Sequence, residues 1–511
     1  MDSSRNLFDV IVIGAGIGGL SVANFLAKYE KKVLVLEKHN KPGGYLTSFS
    51  RKNYQFDSGV FHLTDMSEEE TIPMFNRFWG NKIDSKKVKY KFKIFIGNNS
   101  YIIDGKTAQS DLVKYFPSDE KAIKYFFDLS IQMMNQTLSM GAPKAPYEMS
   151  LLEKISFGIK TMIKNPKLLR FGRKNGQTFF KKLFKDKNLA TIIYSYYPIS
   201  SLILFGFSFG WSNLLKNENY YPTGGMQAIP DAMVSSFKHN NGKLKLQSEV
   251  KRILIEKEKA IGVECMDGSK YYANIIISNS PIHYTLNKLL DGYPQFDSQR
   301  KQVAEREIFC SVMLNFLGMD EAFDYQGTNF FIIMDKNGLE LKEEDLTPKN
   351  CPILMIVLPK PEKQKGDSIL IGVFLPYEYN NCWSTKNSKT QGEEYKKTKE
   401  EVFKIILERI NQKLGEDFQQ ATKFTLASTP LTLERYTYNE KGSIMGWKMD
   451  KKNYGKFFRH ETAIDNLFIV GQWTFPGGGV PGAMAGGYYL AKNILAKENI
   501  DLEAEMAGKS T

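Results

Sequence analysis

The strongest constraint on the fold lies near the start of the chain, between Phe8 and Glu37. Phe8 and the apolar run Val10 to Ile13 predict a buried strand, glycines follow at positions 14, 16 and 19, and residues 20–29 predict a helix. A second apolar strand, residues 32–36, ends on Glu37. This order of strand, glycine turn, helix, strand and terminal acid is the G-x-G-x-x-G fingerprint of a βαβ unit that binds a dinucleotide.

Each residue type in this fingerprint has a physical task. Gly14 permits the tight turn, Gly16 lets the backbone approach a pyrophosphate, and Gly19 lets the helix pack closely on the strand. The N-terminus of the helix supplies unpaired N–H groups and a positive dipole. Because the carboxylate of Glu37 would accept ribose hydroxyls and repel the 2′-phosphate of NADP, this stretch alone predicts either FAD or NAD.

Two further glycine-rich stretches decide between these cofactors. Gly43 and Gly44 suit a flavoprotein, where the chain turns back across the diphosphate. Near the C-terminus, a strand at 467–470 runs into the loop Pro476–Gly482 and then into a helix at 483–495, whose small residues are expected to lie against a flavin ring. A helix N-terminus stabilises the negative charge of a reduced flavin. Binding of NAD would not explain either glycine-rich stretch, so we predict FAD.

Length and cysteine usage set the broad class of the protein. The 511 residues are enough for two sizeable cores. The four cysteines are scattered without the spacing of a metal site or a disulfide framework, so we expect no metal and a reducing, cytoplasmic setting. The first strand begins at about residue 8, which leaves no room for a signal or transit peptide.

The net charge of +13 is concentrated in residues 151–187, which carry eleven basic residues against two acids. Leucines, isoleucines and phenylalanines are interleaved with these charges, as in basic amphipathic helices that lie on anionic membranes. A solvated basic helix face is the alternative. A nucleic-acid partner is not predicted, because no nucleic-acid-binding motif is visible. We therefore expect a cytoplasmic protein that associates peripherally with an anionic membrane.

Residues 188–215 carry no formal charge and are rich in aromatic and aliphatic side chains. The interval is long enough to span a bilayer, but Pro198, Gly206 and Gly210 interrupt it and no second span balances it. We predict that it forms a wall of an apolar substrate tunnel, with a plain core helix as the alternative.

The pattern of strands and helices predicts an α/β fold with an FAD-binding, Rossmann-like domain of the glutathione-reductase and amine-oxidase type and an interleaved α+β substrate domain. The predicted FAD-binding domain is discontinuous and comprises residues 1–75, 222–290 and 455–495. Residues 76–221 and 291–454 form the predicted substrate and membrane-associating domain, and residues 496–511 a flexible tail.

Three separated blocks carry a resemblance to the superfamily of phytoene desaturases, carotenoid isomerases and retinol saturases. These blocks are residues 10–59 with Glu37 and the double glycine, residues 221–279, and residues 471–482. A segment at 429–447 also resembles a family block near the flavin. The resemblance implies an FAD-dependent oxidoreductase with an amine-oxidase-like fold. It would saturate, desaturate or isomerise carbon–carbon double bonds of a long apolar polyene, such as a carotenoid or retinoid.

Two residues depart from the common family pattern. Gln472 stands where many flavoproteins of this fold have an acid, and Tyr45 where many relatives have an arginine. The motifs and the resemblance together predict these cofactor-binding residues: Gly14, Gly16, Ile17, Gly18, Gly19, Glu37, Lys38, Gly43, Gly44, Tyr45, Val250, Ser278, Asn279, Gly471, Gln472, Gly479, Val480 and Pro481.

The residue that transfers a proton is less clearly marked. The candidates near family blocks are His62, Glu434, Arg435 and Tyr436, each of which could equally be structural. Two other functions remain open at this point, a flavin-dependent amine or amino-acid oxidase of the same fold and a non-catalytic lipid-binding relative. The electron donor or acceptor is also open.

Overall fold

The computed structural model describes residues 7–64, 66–140, 144–320, 323–336, 338–385 and 392–508, without the side chains of 138–140. Its strands, in chain order, are β1 Leu7–Ile13, β2 Val33–Leu36, β3 Ser48–Arg51, β4 Tyr54–Asp57, β5 Ser85–Lys87, β6 Lys91–Ile96, β7 Asn99–Asp104, β8 Tyr220–Pro222, β9 Lys243–Lys245, β10 Val250–Glu256, β11 Lys259–Cys265, β12 Lys270–Ser278, β13 Met313–Met319, β14 Phe330–Met334, β15 Ile353–Val357, β16 Ser368–Val373, β17 Thr422–Ala427 and β18 Leu467–Ile469.

Its helical segments are α1 Ile17–Lys28, α2 Thr71–Phe78, α3 Ala108–Tyr115, α4 Glu120–Met140, α5 Leu151–Lys164, α6 Pro166–Phe171, α7 Gly176–Leu183, α8 Lys187–Ser195, α9 Leu204–Lys216, α10 Ala228–His239, α11 Ile282–Tyr284, α12 Asp297–Ala304, α13 Tyr379–Ser384, α14 Glu393–Leu414, α15 Glu416–Ala421, α16 Pro430–Thr437, α17 Val480–Ala496 and α18 Leu502–Met506. The first helix begins at Ile17, three residues before its predicted start, and includes Gly18 and Gly19.

The first sheet has the strand order β10-β11-β12-β1-β2-β9, and β18 pairs with β12. Strands β18, β12, β1, β2 and β9 run parallel, whereas β10 and β11 are antiparallel additions. In β1, alternate side chains such as Val10 and Ile11 enter different buried clusters on the two faces, which is why the strand reads as a continuous apolar run. The predicted α/β class is confirmed, and the parallel strands end at one edge.

Helices α1 and α17 pack against each other on one face of this sheet. A Cβ atom added at Gly487 would lie 2.6 Å from Cβ of Ser21, and the hydroxyl of Ser21 donates to the carbonyl of Met484 at 2.7 Å. The glycine therefore permits close approach of two helices. This corrects our expectation for Gly487, which packs on α1 and not on a flavin ring, whereas Ala483 of the same helix lines the cavity described below.

The second sheet has the order β17-β13-β16-β15-β14-β6-β7 and is antiparallel except for the β14–β6 pair. Side chains alternate between its two faces, as the pleat requires. Leu314, Phe316 and Phe330 face a large cavity, while Met313, Leu317 and other alternate residues form a core that includes Ile406 and Ile410 of α14. This sheet therefore supplies one wall of the cavity.

The two sheets draw their strands from different parts of the chain. The first uses residues 7–36, 243–278 and 467–469, and the second uses residues 91–104, 313–373 and 422–427. This distribution follows the proposed interleaving, although the domain bounds themselves remain a prediction.

The uncharged interval 188–215 contributes to two separate helices, α8 and α9, with Pro198 in the loop between them. Throughout the described ranges, every helix is too short or too polar to cross a bilayer. The C-terminal tail also differs from our prediction over its described part. Residues 502–506 form α18, because Leu502 is completely buried within the core that contains α17.

Candidate functional site

A cavity of about 1460 Å³ is the dominant feature of the molecule. It exceeds the roughly 300–1,000 Å³ of a typical small-molecule pocket. Glycine-rich turns at the ends of the parallel strands line one part of it, and aromatic and aliphatic side chains of the second sheet and of α9 line another. We call the part lined by the glycine-rich turns the cradle and the part lined by the second sheet and α9 the chamber. One continuous space therefore joins a nucleotide-type cradle to an apolar chamber.

The glycine turn after β1 packs tightly on Asn279, which follows β12. Gly14 has a φ of +94°, which favours glycine. A Cβ atom at Gly16 would lie 2.7 Å from Nδ2 of Asn279, and one at Gly18 would lie 2.9 Å from Cα of Gly471. The turn thus brings together the carboxyl ends of three parallel strands and leaves its N–H edge open to the cavity.

Glu37 lies at the end of β2 and is 7% exposed. Its carboxylate accepts hydrogen bonds from the backbone N–H of Ala15 at 2.7 Å and of His39 at 2.9 Å. These two bonds fix the carboxylate beside the glycine turn, within the cavity lining. An acid held at this position is suited to accept hydroxyl groups of a ribose.

The double glycine lies directly against the first turn. Gly43 has a φ of +123°, and its N–H donates to the carbonyl of Ala15 at 2.8 Å. The hydroxyl of Tyr45 donates to the carbonyl of Ser443 at 2.9 Å. Burial raises the pKa of Tyr45 to about 12. Tyr45 therefore joins the double-glycine loop to the 429–447 segment as a neutral hydrogen-bonding group.

The C-terminal loop completes the cradle. Gly471 and Gly479 have φ values of +114° and +86°, and Gly479 precedes the first residue of α17. Val480 and Pro481 in its first turn line the cavity, so the helix N-terminus lies at the site. The side-chain N–H of Gln472 donates to Oδ1 of Asn439 at 3.1 Å, which joins this loop to the 429–447 segment.

Sixteen of the eighteen predicted cofactor-binding residues line the cavity. The two exceptions are Gly19 and Ser278. Gly19 packs against the carbonyl oxygen of Gly14, where a Cβ atom would collide, and the buried hydroxyl of Ser278 is hydrogen-bonded to that of Thr285 at 2.7 Å. Both residues therefore support the cradle by packing outside the cavity lining. Cofactor contact by the other sixteen residues remains a proposal.

Sequence reasoning missed an aromatic cluster at the Glu37 end of the cradle. The rings of Tyr284 and Tyr438 stack with centroids 4.2 Å apart, and the hydroxyl of Tyr438 donates to Glu249 at 2.6 Å. The ammonium of Lys38 lies 3.1 Å from the centre of the Tyr438 ring. Burial lowers the pKa of Lys38 to about 8, although Glu249 and Glu37 oppose this shift. No local pattern links these residues, which are brought together by the fold alone.

Three of the four proton-transfer candidates, His62, Arg435 and Tyr436, line the cavity. The carboxylate of Glu434 accepts from the hydroxyl of Tyr377 at 2.6 Å and from the N–H of Lys441 at 3.0 Å, and Glu434 is not among the described residues that line the cavity. The carbonyls of Arg435 and Tyr436 accept hydrogen bonds from Lys38 and His39, respectively, beside the end of β2. A catalytic role for these residues remains a prediction.

His62 also lines the cavity, where its ring lies against those of Phe61 and Tyr90. Its Nδ1 atom lies 3.2 Å from the hydroxyl oxygen of Tyr90. Burial lowers the pKa of His62 to about 4, so the imidazole is neutral at pH 7. The ring therefore places a neutral polar group within a mainly apolar wall.

The apolar chamber includes part of the uncharged interval 188–215. The side chains of this interval that line it are Tyr196, Tyr197, Ile199, Leu202, Phe205 and Phe209. Ile193 and Trp211 instead belong to the adjacent core, where the indole N–H of Trp211 donates to the carbonyl of Ile193 at 3.0 Å. The interval thus serves both as a cavity wall and as core.

The residues present fit a bound dinucleotide. Cβ atoms at Gly16 and Gly18 would collide with Asn279 and Gly471, so glycine is needed for the shape of the turn. The N-termini of α1 and α17 face the cavity, and the carboxylate of Glu37 lies where it could accept ribose hydroxyls. The fold and the cradle define a protein with a Rossmann-like domain and a site that fits a nucleotide or flavin cofactor.

Comparisons with known proteins agree with this class. Residues 12–78 match the model of the NAD(P)-binding Rossmann-like domain. The chain is 26% identical to all-trans-retinol 13,14-reductase of Danio rerio, covering 97% of this chain and 87% of that protein. It is also 26% identical to the chloroplastic prolycopene isomerase of Arabidopsis thaliana, covering 99% and 85%. These homologues confirm the predicted superfamily resemblance.

A solved structure of a putrescine oxidase variant has the same fold. It superposes with a TM-score of 0.63 at 13% identity and covers 96% of this chain and 99% of that chain. At this identity the likeness establishes the fold alone.

Proposed function

We propose that the protein is an FAD-dependent oxidoreductase that acts on carbon–carbon double bonds of a long apolar polyene. The observation that carries this proposal is the single cavity that joins the glycine cradle to an aromatic chamber. The full-length relatives are named as a retinol reductase and a prolycopene isomerase, which supports a polyene as the substrate class.

The cradle residues have separable tasks in this proposal. The N–H edge around Gly16 and Gly18 would hold the diphosphate, and Glu37 would hold the ribose of the adenosine. The N-terminus of α17 would stabilise negative charge on the flavin ring. FAD supplies hydride transfer when bound, whereas the protein orients the polyene and excludes water from the chamber.

The shape of the chamber favours a polyene over an amine. Its wall is built from Phe316, Phe330, Leu354 and other apolar residues, so binding a long hydrocarbon removes apolar surface from water, at about 25 cal/mol per Å². A small cation would lose hydration in such a chamber without gaining a charged partner from these side chains. An amine oxidase therefore remains the weaker candidate.

The test of this function uses the FAD-loaded protein and lipid mass spectrometry. Purified protein should be yellow and should bleach on reduction, and the polyenes of cells that contain it should shift by two mass units relative to cells that lack it. An unchanged mass with a changed retention time would identify isomerisation. A protein that cannot be loaded with FAD would refute the proposal.

Membrane docking through residues 151–187 is a second part of the proposal. Helix α5 exposes six large apolar side chains, each at least half accessible to solvent: Leu151, Leu152, Ile155, Ile159, Met162 and Ile163. Lys154, Lys160 and Lys164 of the same helix are also exposed. Burying apolar side chains in a bilayer stabilises docking by roughly 1 kcal/mol or more each, and the lysines add attraction to anionic lipids.

The cavity reaches the protein surface near this helix. Phe209 of α9 lines the cavity and is also 36% exposed. Helix α5 packs on α6, and α6 packs on α9. A docked α5 would therefore place this side of the chamber towards the membrane, where an apolar substrate is dissolved.

Vesicle flotation would test the docking proposal. The double change Ile159→Glu and Ile163→Glu should abolish binding to vesicles that contain phosphatidylserine, because two charges would enter the apolar face. Ile102→Glu is the matched control, since Ile102 is 42% exposed on β7. Equal flotation of the double variant and the control would exclude docking through α5.

A further inference from the structure

The segment that carries His62 is fixed at both ends. The hydroxyl of Ser58 donates to the carbonyl of Tyr45 at 3.2 Å, next to the double glycine. On the other side, Leu63 and Tyr220 exchange two backbone hydrogen bonds of 2.9 and 2.7 Å. His62 is therefore held in the cavity wall by backbone anchors on both sides, and its ring is further packed edge-on against Phe61.

The surroundings of Tyr90 determine which nitrogen of His62 carries the proton. The Tyr90 ring is buried against Phe92 and Phe330. Among the described residues, Nδ1 of His62 is the hydrogen-bond partner found for its hydroxyl. If Nδ1 carried the proton, it would donate to Tyr90 and leave the phenolic O–H unsatisfied, at a cost of about 1–3 kcal/mol. The Tyr90 hydroxyl therefore donates, and the imidazole N–H lies at Nε2.

We propose that Tyr90 is a positioning residue that holds His62 in the Nε2–H tautomer, and that Nε2 of His62 donates a proton to a carbon of the bound polyene. This inference rests on the proposed function. Because Nδ1 is occupied by Tyr90, we assign Nε2 as the nitrogen that His62 presents to the cavity it lines. The arrangement assigns the site to the addition of hydrogen, since a neutral imidazole that presents an N–H cannot accept a proton at the same atom.

The atoms and electrons of this step balance. The π bond of the substrate is lost and two C–H bonds form, one from a hydride of the reduced flavin cofactor and one from the Nε2 proton. As Nε2 loses its proton, Nδ1 takes the phenolic proton of Tyr90, so the imidazole stays neutral and a phenolate is left. Burial keeps the pKa of Tyr90 well above its usual value, so the phenolate recovers a proton from water once the product leaves.

Nitrogen NMR on the FAD-loaded protein tests the positioning step without any substrate. The chain contains five histidines, so ¹⁵N-histidine labelling gives few signals, and the His62→Gln variant identifies those of His62. We expect the Nε2–H tautomer in the wild type and a shift towards Nδ1–H in Tyr90→Phe. A predominant Nδ1–H tautomer in the wild type would overturn the inference.

Steady-state kinetics test the catalytic step. His62→Gln keeps a side-chain N–H but cannot transfer its proton, so kcat should fall about 10²–10⁴-fold with the flavin content unchanged. Tyr90→Phe should lower kcat about tenfold at constant KM. Tyr194→Phe is the control, because Tyr194 is buried against Phe207 and is not among the described cavity-lining residues; its kcat should not change.

The outcomes separate this inference from the proposed function. A His62→Gln variant with wild-type kcat would overturn proton donation by His62 while leaving the enzyme assignment intact. If the wild type converts no polyene, the proposed function fails and proton donation to a polyene falls with it, whereas the NMR experiment still decides the role of Tyr90.

Discussion

Gly18 lies where the pieces of the cradle meet, and replacing it by alanine gives the sharpest test of how the cradle works. The added Cβ atom would lie 2.9 Å from Oδ1 of Asn279, 2.9 Å from Cα of Gly471 and 3.2 Å from the carbonyl oxygen of Ala483. Carbon atoms in contact prefer separations of about 3.5–4.0 Å. Because two of the three neighbours are backbone atoms, rotation of a side chain cannot relieve the overlap.

The overlap sets the expected magnitude. Overpacking a well-filled site by one methyl group costs about 1–3 kcal/mol. If that strain displaces the glycine turn from the strand ends, it is felt in cofactor binding, where each 1.4 kcal/mol is a factor of about ten in Kd. We therefore expect Gly18→Ala to weaken FAD binding by about 5- to 150-fold.

The assay compares apoprotein titrations with FAD, followed by flavin fluorescence, with thermal melts of the same samples. Gly158→Ala is the matched control, because no atom lies within 4 Å of a Cβ atom at Gly158 in α5. This control should bind FAD like the wild type. A Gly18→Ala protein whose Kd stays within about twofold of the wild type would show that the close contacts in the structure do not constrain the cofactor site.

Three other outcomes concern buried polar groups and the chamber wall. Burial lowers the pKa of His62, His283 and His460 from 6.5 to about 4, so the unfolded chain binds more protons than the folded protein between these pH values. The stability that these histidines contribute is therefore present above about pH 6.5 and lost towards pH 4. A Tm that does not change over that range would contradict this. Asp57→Asn should lower the free energy of unfolding by about 1–3 kcal/mol, seen as a lower Tm, because the buried carboxylate accepts from Ser48, Tyr221 and Met226. Leu354→Trp should raise the KM for long polyenes about tenfold without loss of flavin, since Leu354 lines the chamber; an unchanged KM would place the substrate elsewhere.

The local parts of the fold could be predicted from the sequence. The first strand, the glycine turn and the acid at Glu37 each depend on a short stretch of sequence. The part of the strand that is buried on both faces, Val10 to Ile13, is apolar throughout. Glycines with positive φ, such as Gly14 and Gly43, mark turns that other residues rarely adopt. These signals identified the cradle without any knowledge of tertiary contacts.

The remaining features depend on contacts between distant residues. Gly487 could not be assigned to helix packing without knowing that Ser21 lies opposite it. Leu502 was read as part of a polar tail, although a single apolar residue in a buried position is enough to dock a short helix. Likewise, Tyr90 becomes relevant only because the fold places its hydroxyl beside His62. Sequence patterns give a residue's periodicity, but a hydrogen-bond partner requires the fold.

The cradle and the chamber differ in how they can exchange ligands. At the Glu37 end, the hydrogen bond from Tyr438 to Glu249 and the stack on Tyr284 link the two parts of the chain across the cavity wall. A hydrogen bond to a charged group contributes about 1.5–3 kcal/mol and an aromatic pair about 0.5–1.5 kcal/mol. If the cofactor can leave at this end only when both contacts break, its release is slowed by roughly 30- to 2,000-fold. At the other end, Phe209 of α9 is partly exposed, and α9 contacts the proposed membrane-docking helix α5 through α6. This asymmetry favours a cofactor that stays bound through many turnovers while the polyene enters and leaves beside α9.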